Sequence, residues 1–482
     1  MRKPSNRVEI LFATILLVAP AAGQNKATET VNPVATAQGL SSEDLSQRTI
    51  ERRAVEGAIW GMPLVNTDAM RQAYFRDVGA KYNDIYYFST PADWHFQVTT
   101  PNASTNYVYF NFNLKDGPVV VEIPAAVGAG LLGSMVDAWD EPMADIGPAG
   151  EDQGKGGKYL LLPPDFKGEP PPGFFALRYP TYNGYALYRA IKARSTAADL
   201  AASLALVKKL RVYPLAQQAS PLEQRFIDIH GKTFDGIANF DERFFESLNR
   251  MVQEEPVQTR DLVAMGMLKS IGIEKGKEFK PDAAMQRILK AGVQEAQTQF
   301  IEGLTSYSQP WWPDRRWSPP DTRGVKTGFT FQTADALDVD PRGWANFAAF
   351  ALPKKTGESL VYLFTFRDGR GERLSGEHTY MVRVPANVPA KQYWSMIVYD
   401  VHTAAFIREA PAITLDSYNQ AMKRNADGSV DIYFGPKAPA GKETNWIYTA
   451  PGKAFFPAMR FYDPDKPLFD KTWKLPDIEK TN

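Results

Sequence analysis

The period of the hydrophobic pattern changes twice along this chain, and that change restricts the fold more than any other feature. Residues 85–179 contain short apolar runs separated by Gly, Pro and Asp, which is typical of the strands of a β-sandwich. Residues 185–308 have helical spacing instead, and β-like runs return over 329–461. The sequence therefore predicts a multidomain α+β protein with two antiparallel β-sandwich domains, jelly-roll-like in form, and an all-helical insertion between them.

The domain boundaries follow from these changes and from capping signals. We expect the N-terminal helix to end before Pro63, because proline interrupts a helix. Helices should begin at Thr196 and at Ser220, where cap residues precede an acid or a proline. The predicted divisions are a signal peptide at 1–23, a disordered segment at 24–41, a helix with the first β-sandwich at 42–184, a helical subdomain at 185–310 and the second β-sandwich at 311–482.

A weak internal repeat links the two β regions. The run Val119–Ile123 precedes Pro124, and the similar run Tyr380–Val384 precedes Pro385. A serine follows each proline at the same distance of ten residues, Ser134 in the first region and Ser395 in the second. The repeat predicts that these two serines occupy equivalent strands of related domains.

The N-terminus and the composition indicate the compartment. Basic residues precede a short apolar run at 10–18, and the small residues 21–23 follow, so we predict cleavage near Gly23 and export to the periplasm, with secretion as the second choice. No other stretch is long and apolar enough to span a bilayer. The 55 basic and 55 acidic residues balance, which argues against a nucleic-acid partner. The absence of cysteine excludes disulfides, thiolate metal sites and a cysteine nucleophile.

One candidate site is acidic. Asp137, Asp140, Glu141 and Asp145 follow the Ser134 strand, and Trp139 lies among them. Asp137, Asp140 and Asp145 have the hard oxygen ligands that a divalent cation such as calcium prefers, and paired carboxylates also serve as general acid and base. The alternative interpretation is a solvated loop of turn-forming acids.

A second candidate site combines an acid with histidine. Asp400 and His402 are two residues apart at the end of an apolar run, so in extended chain they would share a face, and the carboxylate would orient the imidazole as a general base. His378 would complete a catalytic group if the fold brought it near. The alternative is that each histidine makes only structural hydrogen bonds.

Further residues are candidates for ligand binding. Trp312 lies in an aromatic segment with arginines, where a ring can stack on a sugar or pack between domains. Asn102 and Tyr107 follow a Thr-Pro turn, His95 follows a tryptophan, and Trp139 of the acidic segment is a further ligand-binding candidate. Structural packing is the alternative for the other four residues.

Several longer motifs stand out in the two β regions. They are Thr100-Pro101-Asn102, residues 117–124 and 154–164, Tyr393-Trp394-Ser395, residues 425–436 and Asn445-Trp446. With these motifs the first β region resembles domain of unknown function 1254 and the second resembles domain of unknown function 1214, a pair found in a two-domain bacterial family. The resemblance implies two β-sandwiches with a helical insertion, and it implies no activity or catalytic residue.

These observations favour an exported envelope protein that binds or hydrolyses a small ligand or glycan in an interdomain cleft. The alternative is a non-enzymatic structural or interaction protein of the envelope. No motif identifies a cofactor, and none decides whether the protein is an enzyme. The expected partner is a small molecule or glycan, and the sequence is compatible with a homo-oligomer.

Overall fold

The computed structural model describes residues 39–192, 196–306, 309–320, 322–355 and 360–481. Within these ranges the chain is mixed α+β, with eight helices and twenty strands in five sheets. The predicted α+β class is therefore confirmed. No helix in the described ranges is long and apolar enough to cross a membrane.

The chain divides into two compact units, Met1–Gln47 and Arg48–Asn482. The predicted signal peptide, 1–23, and residues 24–38 of the predicted disordered segment lie outside the described residues. All of the sheets and the sites described below belong to the second unit.

The first helix is longer than the sequence suggested. It continues through Pro63, and the prediction that it ends there is wrong. Its middle is buried, with Ala58 and Tyr74 both at 0% exposure, and this burial offsets the roughly 3 kcal/mol that an interior proline costs a helix. In chain order the helices are α1 (Ser42–Arg76), α2 (Ala197–Val207), α3 (Arg243–Glu254), α4 (Leu262–Leu268), α5 (Ala283–Ser306), α6 (Thr322–Thr327), α7 (Val339–Ala348) and α8 (Lys466–Phe469).

The strands fall into two groups along the chain, here called the first half (β1–β12) and the second half (β13–β20). Their bounds are β1 (Ile85–Tyr87), β2 (Phe96–Gln97), β3 (Asn106–Asn113), β4 (Val119–Ile123), β5 (Ala129–Asp137), β6 (Pro142–Ile146), β7 (Gly157–Leu162), β8 (Phe175–Arg178), β9 (Asn183–Lys192), β10 (Arg211–Pro214), β11 (Phe226–Asp228), β12 (Phe234–Asp235), β13 (Leu360–Phe364), β14 (Tyr380–Val384), β15 (Ala390–Asp400), β16 (Thr414–Asp416), β17 (Val430–Gly435), β18 (Trp446–Tyr448), β19 (Phe455–Pro464) and β20 (Glu479–Lys480).

Each half contains two sheets of three or more strands. In the first half the orders are β11-β1-β3-β9-β5-β6 and β10-β4-β7-β8, and β12 pairs with β2 separately. In the second half they are β13-β19-β15-β16 and β18-β17-β14-β20. One hydrophobic cluster contains residues of both larger sheets of the first half, among them Phe110 and Leu161, and another does the same in the second half with Met396 and Ile432.

A third cluster covers the opposite faces of the six-stranded sheet and of the β13-β19-β15-β16 sheet. It contains Trp60 of α1, Tyr109 and Leu187 of the first half, and Tyr399 and Phe456 of the second half. The central strands are therefore buried on both faces, and their sequences are continuous apolar runs rather than alternating ones.

The two halves share one strand topology. The order β3-β9-β5-β6 in the first half corresponds to β13-β19-β15-β16 in the second, and β4-β7-β8 corresponds to β14-β17-β18. The terminal pair of each three-stranded group is parallel and the other pair is antiparallel. Ser134 lies on β5 and Ser395 on β15, so the predicted equivalence of these strands is confirmed.

One region predicted to be helical is part of the first half. Residues 183–192 form β9, which pairs with both β3 and β5, so the predicted change to helix at Tyr185 is wrong. The strands β10, β11 and β12 also lie within 185–310, and this segment is not all helical. Burial on both faces removed the alternation that would have identified β9.

The two predicted helix starts have different outcomes. Thr196 caps α2, because its hydroxyl accepts a hydrogen bond from the Asp199 amide at 3.1 Å, as the capping box predicts. No helix begins at Ser220, and the residues after it lead instead into β11. The Gln224 side chain there accepts from the Val212 amide at 2.7 Å, so tertiary hydrogen bonding overrides the local signal.

Candidate functional site

An arginine at the centre of β19 is buried where the two halves meet. Arg460 is 1% exposed, and its guanidinium donates to the carbonyl oxygens of Thr100 at 2.9 Å and Pro101 at 3.4 Å. It also donates to the Tyr399 hydroxyl and lies 4.4 Å above the ring of Tyr362. The Nε atom of this buried guanidinium has no hydrogen-bond partner.

The loop before β3 supplies the first-half side of this site. Asn102 donates from its side-chain amide to the Tyr462 hydroxyl at 2.6 Å, and its backbone amide donates to the Tyr107 hydroxyl at 2.8 Å. Thr100 has a left-handed φ of 36°, which is uncommon for a residue with a branched side chain. The strained turn presents the Thr100 carbonyl to Arg460.

A second arginine enters the site from the first half. Arg189 lies on β9, with its guanidinium 5.5 Å from the centre of the Tyr107 ring, and its Nε atom has no hydrogen-bond partner. The charge of Arg460 acts on Arg189, as do the hydroxyl groups of Tyr362 and Tyr462. We call Arg189, Arg460 and the surrounding tyrosines the arginine–tyrosine site.

The arginine–tyrosine site carries positive charge that no carboxylate side chain in the described ranges pairs with. Among the described residues, neither Arg189 nor Arg460 forms an ion pair with a carboxylate. Burial raises the pKa of Tyr399 and of Tyr462, so both hydroxyls stay protonated at neutral pH. The Tyr362 hydroxyl has no partner, and the Tyr393 hydroxyl lies near Tyr462 without hydrogen-bond geometry. The site therefore offers positive charge and unused donors.

Ser395 completes a row of paired residues across the second half. It is the cross-strand partner of Asp416 on one side and of Arg460 on the other, and Tyr362 pairs with Arg460. Paired residues project from the same face of a sheet, so these side chains share the face that bears the site. The Ser395 hydroxyl is fully buried and has no hydrogen-bond partner.

The sequence predictions for ligand-binding residues have mixed outcomes. Asn102 and Tyr107 lie in the arginine–tyrosine site, as described above. His95 lies elsewhere, stacked on Trp94 at 3.8 Å and paired with Asp93 at 2.9 Å. Trp312 has 0% exposure and belongs to the second-half core, so a role in stacking on a ligand is excluded by its packing.

The predicted acidic segment is buried rather than solvated. Asp137 is 0% exposed and Asp140 is 2% exposed, so the interpretation as a solvated loop is wrong. Asp137 accepts the backbone amides of Trp139 at 2.8 Å and Glu141 at 2.9 Å through one oxygen. Burial and the neighbouring Glu141 charge raise the pKa of Asp137.

Asp140 binds the segment that leads toward the second half. Its Oδ1 accepts from the Tyr185 hydroxyl and from the Ala351 amide at 3.1 Å. Burial raises the pKa of Asp140 to about 7, although both hydrogen bonds oppose the shift. Asp145 has a similar role, since it accepts from the Ser134 hydroxyl at 2.8 Å and from the amides of Lys354 and Lys355.

The predicted cation site is not formed by these acids. Within the described ranges, no group of three or more His, Cys, Asp or Glu residues is arranged to hold a metal ion. Asp137 accepts amides of its own turn, whereas Asp140 and Asp145 accept amides of the segment 351–355. The structure therefore does not arrange these three carboxylates around a common cation.

Asp400 and His402 do not interact through their side chains. One Asp400 oxygen accepts the His402 backbone amide at 2.8 Å, and the other is 3.0 Å from the Lys453 amine. The His402 side chain is exposed. His378 is also at the surface, 3.6 Å from Glu377, and no hydrogen bond or ion pair of the described residues joins it to Asp400 or His402. The predicted catalytic group is not assembled.

Two protein-family models match this chain, and the matched segments contain the two arginines of the arginine–tyrosine site. Residues 82–214 match the family described as "Protein of unknown function (DUF1254)", and residues 359–466 match the one described as "Protein of unknown function (DUF1214)". The chain belongs to the two-domain family that combines them. Arg189 lies in the first matched segment and Arg460 in the second, so both domains of the family contribute to the site.

Two solved structures are similar to this chain over most of its length. The VPA0106 protein of Vibrio parahaemolyticus is 18% identical with a TM-score of 0.52, and the match covers 90% of this chain and all of that one. At this identity the likeness shows the fold alone. An uncharacterised protein of Burkholderia cenocepacia is 12% identical with a TM-score of 0.40, and that match covers 90% of this chain and 96% of the other. No curated protein matches this chain.

Proposed function

We propose that this protein binds a small molecule bearing an anionic group, a carboxylate, phosphate or sulfate, in the arginine–tyrosine site. The observation that carries the proposal is the environment of Arg460. A guanidinium that is 1% exposed and has no carboxylate partner is rare, because an unpaired buried charge is costly. An anion bound beside Arg460 and Arg189 supplies the missing counter-charge.

The donors around the two arginines fit the same ligand class. An anionic oxygen accepts several hydrogen bonds, and charge-assisted bonds are the strongest that a protein makes. The unpartnered donors are Arg189 Nε, Arg460 Nε and the hydroxyls of Tyr362 and Ser395. The two Nε atoms can only donate, the hydroxyls can donate as well, and the two positive charges disfavour a cationic ligand.

The architecture supports a site of this kind. We infer that each half is a β-sandwich, because two sheets of each half share one hydrophobic cluster, and that the ligand binds between the sandwiches. Interdomain surfaces are common places for small-molecule sites. A surface hollow is lined by Tyr393, whose ring stacks on Tyr462 of the site, and also by Ser417 and Arg424.

The setting we propose for this binding is the cell envelope, since the N-terminal pattern predicts export. Binding is favoured over hydrolysis because no described residue forms a hydrogen bond with the Ser395 hydroxyl, so no general base is placed to activate it as a nucleophile. An envelope protein of this kind would capture or carry its ligand rather than transform it.

Titration calorimetry tests the proposal with inorganic phosphate, sulfate, acetate and benzoate as probes. We expect the wild-type protein to bind at least one of them, and Arg460→Leu to weaken that binding about 10- to 100-fold, as the loss of a charge-assisted hydrogen bond predicts. Arg383→Leu is the matched control, because Arg383 is a surface arginine of the same half. Equal affinity in wild type and Arg460→Leu, or no binding of any probe, would contradict the proposal.

A further inference from the structure

A second buried polar group lies apart from the arginine–tyrosine site, around the indole ring of Trp139. The guanidinium of Arg342 lies 4.7 Å from the ring centre and that of Arg260 lies 5.5 Å from it. Asp137 and Glu141 flank Trp139 in the chain, and their charges act on Arg342. We call these five residues the tryptophan chamber.

The guanidinium of Arg342 has hydrogen-bond donors that no other residue of the chamber satisfies. The residue is 0% exposed, and its single hydrogen bond to another helix is the one from Nη2 to the Trp60 carbonyl at 3.2 Å. Its Nε and Nη1 atoms have no partner. Burial, together with the Arg260 charge, lowers the pKa of Arg342 to about 10, which is the expected result for a guanidinium whose donors are unused.

Unused donors and unused acceptors occur together in this chamber. The Trp139 Nε1 donor has no partner although the residue is 4% exposed. The Oδ2 atom of Asp137, which is 0% exposed, is an acceptor without a partner, and so is Oδ2 of the adjacent Asp140. Buried polar atoms in native proteins are nearly all hydrogen-bonded to protein or to ordered water, so we expect this set to have a partner, either water or a ligand.

The mixture of groups selects the chemistry of that partner. Two guanidinium groups disfavour a cation, and the carboxylates of Asp137 and Glu141 disfavour an anion. A hydroxyl group donates one hydrogen bond and accepts two, so it can join a carboxylate to a guanidinium or indole N–H. Adjacent hydroxyls on one small molecule satisfy several of these atoms at once.

We propose that the tryptophan chamber binds a small polyhydroxylated molecule, a polyol or a monosaccharide. The hydroxyls donate to Asp137 and accept from Arg342 and Trp139. Both arginines lie over the ring of Trp139, and the ring of Trp60 meets it in a T-shaped contact at 4.9 Å, so recognition is by hydrogen bonds and not by stacking of the sugar. This site is independent of the proposed anion site.

The least buried pair of the chamber is Arg260 and Glu141, which form an ion pair at 2.7 Å with side chains 15% and 12% exposed. Asp261 is more deeply buried, 3.7 Å from Arg260. In this proposal the ligand enters on the side of the Arg260–Glu141 pair, because that side is the most exposed part of the chamber.

Binding of myo-inositol, D-glucose and D-mannitol to the full chain, measured by titration calorimetry, tests the proposal, with cyclohexanol as the control that carries one hydroxyl on a ring of the same size as inositol. We expect wild type to bind at least one polyol and not cyclohexanol. Trp139→Phe removes the indole N–H and keeps a ring between the arginines, and it should weaken binding about 3- to 10-fold. Asp137→Asn should weaken binding as well.

Trp312→Phe is the matched control, since Trp312 also has a buried, unpartnered indole N–H but lies in the second-half core. Its polyol affinity should equal that of wild type, and so should that of Arg460→Leu, which alters the other site. Equal affinity in Trp139→Phe and wild type would overturn the proposal. Failure of every polyol to bind would also overturn it and would show that the chamber holds water only.

Discussion

Leu187 in the first half and Arg460 in the second half occupy the same position in two equivalent rows of cross-strand pairs. Ser134 is the partner of Leu187 and Ser395 is the partner of Arg460. Each row begins with an aspartate paired to the serine and ends with a tyrosine, Tyr109 in one and Tyr362 in the other. The two halves therefore share the same row of paired residues but differ at one position, which is Leu187 in the first half and the buried cation Arg460 in the second. This difference creates the arginine–tyrosine site.

Because the two halves have equivalent strands, two equivalent ion pairs should affect stability in the same way when their charges are reversed. Glu122 lies 2.9 Å from Lys158 across β4 and β7, and Arg383 lies 2.7 Å from Asp431 across the equivalent strands, with the charges reversed. All four residues are at least partly exposed, so each pair should contribute less than about 1 kcal/mol.

We expect Glu122→Lys alone to lower the free energy of unfolding modestly, and Glu122→Lys with Lys158→Glu to restore it. Arg383→Asp with Asp431→Arg should behave likewise. Urea denaturation of the single and double variants measures these effects. A reversed pair no more stable than its single variants would show that the pairing carries no net interaction.

Two glycines of β5 provide a sharper test of the strand packing. A Cβ atom on Gly133 would lie 2.1 Å from the Leu187 carbonyl oxygen, and its φ of 152° is itself unfavourable for other residues. A Cβ atom on Gly130 would meet nothing within 4 Å. Gly133→Ala should lower the free energy of unfolding by more than about 3 kcal/mol, because backbone must move.

Gly130→Ala should change stability by less than about 1 kcal/mol, since it adds a side chain in open space. Thermal denaturation of the two variants against wild type makes the comparison. Equal melting temperatures for Gly133→Ala and Gly130→Ala would mean that β9 does not pack against β5 as described.

Much of the fold could be predicted from local pattern, because turn residues separate the strands and the Pro-to-Ser spacing recurs. The strand that carries Arg189 was missed, since a strand buried on both faces lacks the period that identifies strands. Asn102 and Tyr107 could be found because they follow a recognisable turn.

Arg189 and Arg460 could not be identified as partners, because their proximity depends on long-range packing of the two halves. A local signal for Arg460 did exist. It is a single charge in the apolar run Phe455–Tyr462, where a solvated residue is out of place. Arg342 and Trp139 are far apart in sequence, and no spacing rule joins them.

The contacts of Asp400 predict opposite results for two neighbouring substitutions. Asp400→Ala leaves the partly buried His402 amide and Lys453 without the buried carboxylate that accepts from them, so it should lower the free energy of unfolding by about 1–3 kcal/mol. His402→Ala removes an exposed ring and should leave the melting temperature nearly unchanged. Melting curves of both variants decide this, and a strongly destabilised His402→Ala would show that the imidazole has a structural partner.

Export is predicted from the N-terminal pattern. We expect the mature protein to begin at Gln24 and to appear in the periplasmic fraction, which mass spectrometry of fractionated cells measures. Leu16→Arg places a charge in the apolar run and should leave the intact chain in the cytoplasm. An intact Met1 terminus on wild-type protein in the cytoplasm would contradict the prediction.

The last prediction concerns the pH dependence of stability and rests on Asp140. Burial raises the pKa of this carboxyl from 3.8 to about 7, so the folded protein binds its proton more tightly than the unfolded chain does. Between about pH 4 and pH 7 the folded state therefore holds more protons, and the stability contributed by Asp140 falls as pH rises, by up to about 1.4 kcal/mol per pH unit. Above this window the loss is complete and constant.

Asp140→Asn removes this titration while keeping the fold. An amide oxygen can accept from Tyr185 and Ala351 as the carboxylate does, and asparagine tolerates the φ of 61° at this position. Denaturant unfolding across the pH range should show wild type losing stability relative to Asp140→Asn as pH rises toward 7, and a constant difference above it. Asp93→Asn, at a surface carboxylate with 54% exposure, should follow wild type. Parallel curves for wild type and Asp140→Asn would mean that Asp140 has an ordinary pKa and that its burial is relieved by solvent.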